Sequence, residues 1–302
     1  MNKGQEILYK QNLDVNIDRL LAQRRLYSNA KIMQYILIAI TVIIPVLIAF
    51  VTNFSNLRID DTSWIYTIYA IVVIFGEKIL EIFIDRNKKT AASIQEKFDT
   101  NIFDIPENEL LNSVFIDHDI VRKYSKKDKL NANKISRVTN WYSTRIDCLR
   151  TNIAILFCQR MNICYDQNIK KKYNKLLISL SVLTFITLLI ISLTNDFSLK
   201  KFIIEVILPS IPILNFTYKE INQNIESVDN LQKLREIIEN KLSSLSRNDV
   251  IEIEELRNIQ DRIFNNRILS PLIPDFIYKI LWTELEDEMN YSVENRIVEL
   301  QS

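Results

Sequence analysis

Glycine is nearly absent: the chain has two among its 302 residues, alongside six prolines and one histidine. Tight turns, hairpins and phosphate-cradling loops consume glycine, so the deficit excludes a Gly-rich nucleotide loop and points to long helices with few turns. His118 stands alone, and Cys148, Cys158 and Cys164 form no CxxC pair, so neither a metal set nor a His-based catalytic constellation is expected. Asp117 and Asp119 flank His118 at spacings that do not share a helix face with it. The unpaired thiols fit a reducing, cytosol-facing setting. A net charge of only +1 excludes the global basic field of a DNA or RNA binder, so an anionic ligand must be held locally.

What the chain has instead is segregated apolarity. With 48% hydrophobic and 25% charged residues, apolar blocks alternate with polar ones, unlike an ordinary soluble domain or a transporter made almost wholly of lipid-facing helices. Four blocks read as membrane spans. Ile32–Val51 carries no charge and matches the roughly 20 residues needed to cross a hydrocarbon core. Pro45 inside it removes an amide donor and predicts a kink whose freed carbonyl a neighbouring helix must satisfy. Trp64–Ile84 follows a connection with Asp60 and Asp61, with Trp64, Tyr66 and Tyr69 suited to the interface. Its second half holds Gly76, Glu77, Lys78 and Glu81; Glu77 and Glu81 share a face that either lines a bundle interior or belongs to a stalk leaving the bilayer near Gly76. Leu176–Leu193 is uncharged, with Ser and Thr able to bond across helices. Phe202–Phe216 is shorter, carries Glu205, and has Pro209 and Pro212 in its middle. It is either a tilted, kinked fourth span or a re-entrant element lining a water-filled path.

Basic residues set the orientation. Arg19, Arg24, Arg25 and Lys31 precede the first block, Arg86, Lys88 and Lys89 follow the second, and Lys170, Lys171, Lys172 and Lys175 precede the third, which places both termini in the cytoplasm. Lys200 and Lys201 run against the rule. The expected architecture is an all-α membrane protein with four transmembrane helices in two hairpins. Residues 1–31 form a cytoplasmic helix, 32–84 and 176–218 the hairpins, 85–175 a helical cytoplasmic domain, and 219–302 C-terminal cytoplasmic helices. In the domain, Ala91–Phe98 continues the second span's helix, Val121–Lys134 is a solvated helix or loop, and Asn140–Tyr173 has the period of one long amphipathic helix. In the C-terminal part, Ile221, Ile225, Val228, Leu231, Leu234, Ile238, Leu242 and Leu245 form an apolar stripe that suits packing or a homo-oligomer contact. Helices over Ile251–Phe264 and Phe276–Leu300 follow.

Four stretches carry a resemblance. LLAQRRLYSNAK (Leu20–Lys31), IQEKFDTNIFDIP (Ile94–Pro106), Trp141 and Tyr142 followed by CQRMNICYD (Cys158–Asp166), and LRNIQDRIFNNRILSPLIPDFIY (Leu256–Tyr278) resemble, in order, the SMODS-associating four-transmembrane effectors. The resemblance covers almost the whole chain. It implies a non-enzymatic, pore-forming effector of the bacterial inner membrane, part of a CBASS-type anti-phage system, with lipids and a cyclic oligonucleotide second messenger as partners and no bound cofactor. Tyr165 stands where the family pattern has tryptophan before the aspartate, and keeps an aromatic platform.

Gln159, Arg160, Asn162, Tyr165 and Asp166 supply a guanidinium for phosphate, amides for base edges and a ring for stacking, as a cyclic nucleotide pocket needs. The alternative is that Arg160 pairs with Asp166 or Asp99 as a strut between helices. The same two readings apply to Arg24, Arg25, Arg257, Gln260, Arg267 and Asp275. Two other functions stay open: a non-conducting membrane receptor or scaffold acting through the C-terminal helices, and a membrane hydrolase using Asp99, Asp104 and Asp166.

Overall fold

A computed structural model describes residues 1–45, 47, 63–112, 114–194, 198–203, 207–246 and 249–300. Glu205 lies outside them. All regular structure among the described residues is helical.

The segment before the first apolar block is two helices. Asn2 caps α1 (Lys3–Gln11) by accepting from the Gln5 amide, and the Gln5 side chain returns the bond to the Asn2 amide. The chain breaks at Asn12 and Leu13, and α2 runs over Asp14–Ile38. It passes directly into a π-helical turn, Ala39–Ile43, in which the Ile44 amide reaches back to the Ala39 carbonyl. Pro45 is the cause: it has no amide to give Thr41, so the ladder slips by one residue and the Ile40 carbonyl is released. The Tyr69 hydroxyl, on the neighbouring helix, donates to that carbonyl. Tyr69 therefore satisfies the proline defect.

That neighbour is α3, one uninterrupted helix from Ser63 to Phe103 that passes through Gly76 without a break. It lies antiparallel to α2, as the contacts of Asn16 with Asn101 (3.0 Å) and of Arg19 with the Lys97 carbonyl (3.4 Å) require. Its outward side chains Ile71, Phe75, Ile79 and Ile82 are exposed, and only from Ala91 onward does it enter the core.

Between α3 and the next long helix come α4 (His118–Ser125), α5 (Ala132–Ser136) and two 3-10 turns, Asp128–Leu130 and Thr144–Cys148. The expected long helix from Asn140 begins only at Ile153. Its first third folds as the second 3-10 turn, capped by Ser143 and pressed against α1. Then α6 spans Ile153–Thr194, again without interruption, and after the short α7 (Leu199–Phe202) comes α8, Leu208–Ser244. Pro209 sits in the first turn of α8, where a missing amide costs nothing, and Pro212 lies one turn further in. Two polar contacts, Ser181 with Thr217 (3.1 Å) and Gln167 with Gln232 (2.6 Å), fix α6 and α8 as antiparallel neighbours. The helices α9 (Ile253–Leu269) and α10 (Asp275–Glu299) close the chain.

The main core joins α1, α2, α3, α6, α8, α9 and α10 around Leu20, Phe98, Tyr142, Phe157, Ile238 and Leu256. The apolar stripe of α8 divides there: Leu231, Leu234, Ile238 and Leu242 are buried, but Ile225 faces outward.

With so little glycine, the two left-handed backbone positions among the described residues fall to Asp104 (φ 56°) and Asn140 (φ 54°), residue types that tolerate that region. The glycines themselves have opposite duties. A Cβ on Gly4 would stand 1.9 Å from the Ile146 carbonyl oxygen, whereas one on Gly76 would meet only the Ile40 side chain at 3.8 Å. Gly4→Ala should therefore cost about 3 kcal/mol, since α1 must retreat from the 3-10 turn, while Gly76→Ala should gain about 0.5–1 kcal/mol of helix propensity. Thermal unfolding of the two variants in detergent measures the contrast.

Candidate functional site

Beneath the helices lies a buried polar clasp. From α3 come Glu96 and Asp99; from α9, Arg257, Gln260 and Arg267. Arg257 reaches Glu96 at 2.5 Å and the Pro106 carbonyl at 2.9 Å. Gln260 donates to Glu96 (2.8 Å) and Asp99 (3.1 Å). Arg267 lies 2.7 Å from the Asp99 carboxylate in an ion pair without hydrogen-bond alignment. On the other side of Asp99 the Tyr142 hydroxyl donates at 2.7 Å, and Asn162 donates to that hydroxyl at 2.7 Å. Burial lifts the Glu96 carboxyl above its ordinary range despite Arg257 and Arg267, while burial works against the Arg267 charge but Asp99, Tyr142, Glu96 and Tyr27 together outweigh it and hold its pKa above normal.

A second polar knot lies nearer the apolar ends of the helices. The buried Lys170 ammonium donates to Asp166, Ser227 and Ser270, at 2.6, 2.7 and 2.7 Å. Asn266 completes it with a bond to Asp166.

Outside the clasp, α6, α8 and α10 enclose a cleft of about 370 Å³, within the size range of small-molecule sites. Arg160, Tyr165, Lys171, Lys172 and Lys175 of α6 and Arg235 of α8 line it, against Glu288 of α10. Its charge is poorly balanced. Glu239 serves three guanidinium groups, Arg160 at 2.7 Å, Arg296 at 2.6 Å and Arg235 at 3.6 Å. Burial works against the Glu239 carboxylate, but the bond from Arg160 and the charge of Arg296 hold its pKa below the usual range. Lys172 is matched by Glu284 and Glu288. Lys171 and Lys175 have no ion-pair partner among the described residues, and both are exposed at the rim. Burial, with Glu286 adding to it, pushes the Tyr165 phenol up to about 12, so its ring stays neutral.

The five residues drawn from the sequence thus divide. Arg160 and Tyr165 share the cleft. Gln159 is turned to α9, where it donates to the Leu256 carbonyl at 2.8 Å; Asn162 belongs to the clasp and Asp166 to the Lys170 knot. Arg160 is also a strut, joined to Glu239 rather than to Asp166 or Asp99. Arg235 was invisible in the sequence, one cation among many in an amphipathic helix, and the lysine run before Leu176 carried only a topological signal. Asp99, Asp104 and Asp166 are ion-paired at three separate places, with Arg267, with Lys3 and Lys10, and with Lys170.

Of the polar residues in the apolar blocks, Glu77 is half-buried, and Glu81 pairs with Lys78 at 2.9 Å and bridges to Lys219 of α8 at 3.4 Å. Among the described residues one helix, Asp14–Ile43, is long and apolar enough to cross a membrane by length and composition.

These features define a class: a protein helical in all its regular structure among the described residues, whose long helices run from apolar ends into a polar, ion-paired domain with a cationic cleft. The chain belongs to the SMODS-associating 4TM effector family, whose domain matches residues 5–296. It is similar to a probable CBASS effector molecule from Bacillus cereus (strain VD146), 29% identical over 290 residues that cover 94% of this chain and 95% of that one. No solved structure matches it.

Proposed function

We propose that the protein is a pore-forming effector of a bacterial anti-phage system, opened by a cyclic oligonucleotide that binds in the cleft between α6, α8 and α10. The observation that carries the reading is the continuity of α6. Arg160, Tyr165, Lys171 and Lys175 at the cleft and the uncharged stretch Leu176–Leu193 belong to the same unbroken helix. A ligand that moves one end must move the other. The lysines Lys171 and Lys175, together with the guanidinium groups of Arg160 and Arg235, suit the phosphates, and the Tyr165 ring suits a base.

Four spans, α2 with the first half of α3 and the ends of α6 and α8, then cross the inner membrane with both termini in the cytoplasm. In support, Ile36, Ile43, Phe75, Leu183, Phe185 and Leu214 are exposed in these segments, as residues facing lipid are. Copies of the chain assemble around a conducting path, to which Glu77, Glu81, Glu205, Pro209 and Pro212 belong. The family match and the CBASS name of the similar protein support a cyclic oligonucleotide as the signal.

The test is expression in bacteria with and without a cyclic oligonucleotide synthase, followed with a potential-sensitive dye. Depolarisation only in the presence of the synthase is the expected result. Binding of the nucleotide to purified protein with an unchanged potential would move the assignment to a non-conducting receptor.

A further inference from the structure

At the inner foot of the spans α8 is inside out. Between Thr217 and Ser227 its buried face is polar, comprising Thr217, Glu220, Asn224 and Ser227, whereas Ile225 on the other side is 47% exposed. From Leu231 onward the ordinary pattern returns. A helix builds a polar interior where it has something polar to hold.

The buried atoms there are incompletely matched. Gln34 of α2 donates its amide to one Glu220 oxygen at 3.2 Å. The other Glu220 oxygen, the Gln34 carbonyl oxygen, the Asn174 carbonyl oxygen and both polar atoms of Asn224 have no hydrogen-bond partner among the described residues. Asn224 is fully buried, and Glu220 is 7% exposed. The contacts Ser181 to Thr217 and Lys170 to Ser227 set the register of α6 against α8, and that register puts Asn174 across from Asn224. Three helices thus bring open oxygens to one level of the bundle, and each open buried acceptor is costly unless something satisfies it.

We propose that Glu220, Gln34, Asn174 and Asn224 form a binding site for one monovalent alkali cation. One carboxylate and three amide oxygens are hard, weakly charged ligands, whereas a divalent ion in a buried all-protein site calls for more carboxylates. The nearby cations are directed elsewhere: Lys88 of α3 donates to the Ser270 carbonyl at 3.1 Å, and Lys219 is directed to Glu81 at 3.4 Å. The phenol of Tyr173, which burial keeps neutral at physiological pH, also faces Glu220.

The experiment is thermal unfolding of the detergent-purified full chain, without nucleotide, in potassium or sodium chloride against N-methylglucamine chloride at equal ionic strength. In alkali salt at about pH 8.5 the midpoint should rise by about 2–4 °C. Glu220→Gln and Asn224→Leu should abolish the difference. Asn224→Asp, which keeps size and adds charge, should enlarge it, and decides the matter if the first two fail to fold. No cation-specific rise would mean ordered water only and overturn the proposal. A rise that survives Glu220→Gln and is not enlarged by Asn224→Asp would overturn it equally. The proposal goes beyond the pore-forming reading and is measured without a membrane or a conductance, so either can fail alone.

Discussion

Arg267→Ala should cost the folded state about 3–5 kcal/mol, the range found when one partner of a buried ion pair is removed. The reason lies in what is left behind. Asp99 is fully buried, and without Arg267 it keeps only the Tyr142 hydroxyl and the Gln260 amide as partners. Glu96, 3.9 Å from Arg267, loses part of its compensation too and is left with Arg257 and Gln260. Most of the cost is therefore the stranded charge rather than the lost attraction. The double replacement Asp99→Leu with Arg267→Met should recover most of it, although Tyr142 then loses its acceptor. Denaturation of both singles and the double in a mutant cycle separates the two contributions. Equal damage in the single and the double would show that the clasp matters through packing alone.

Removing cations of the cleft should have the largest effect on ligand binding. Arg235→Ala should weaken binding of the activating cyclic oligonucleotide about 10–100-fold, the value of one charge-assisted contact of about 1.5–3 kcal/mol. Lys171→Ala with Lys175→Ala should weaken it in a salt-dependent way, since both amines are solvated. Tyr165→Ala should lose about 1–3 kcal/mol of stacking, and Tyr165→Phe little of it. Lys172, already matched by Glu284 and Glu288, should matter least. Titration calorimetry with cyclic di- and trinucleotides reads this ranking. Arg160→Ala is a poor probe because it also unfastens Glu239 from α6.

Periodicity is a local signal, and it succeeded where the local rule is the whole rule. The described part of Ile32–Val51 falls in α2 and the π-helical turn that continues it, Leu176–Leu193 falls in α6, and the Pro45 defect with its borrowed donor was legible because a missing amide must be compensated somewhere. It failed where the surroundings decide. Trp141 to Leu149 has helical spacing, but contact with α1 at Gly4 folds its centre into a 3-10 turn. Ile221 and Ile225 continue the stripe of Leu231 and Leu234, yet the interior at that level is polar, so the helix presents the other face inward. Arg160 and Tyr165 were visible as site residues from their chemistry. Arg235 was not, because only the crossing of α8 over α6 brings it to the cleft.

The length of α6 has a mechanical consequence. From Tyr165 at the cleft to Thr194 at its far end the helix is about 43 Å long, at about 1.5 Å per residue. A tilt of about 5° at the cleft would carry the far end about 4 Å sideways, more than a water molecule's diameter. So small a rotation needs no refolding: a ligand that wedges α10 from α6 by the width of a single side chain would supply it.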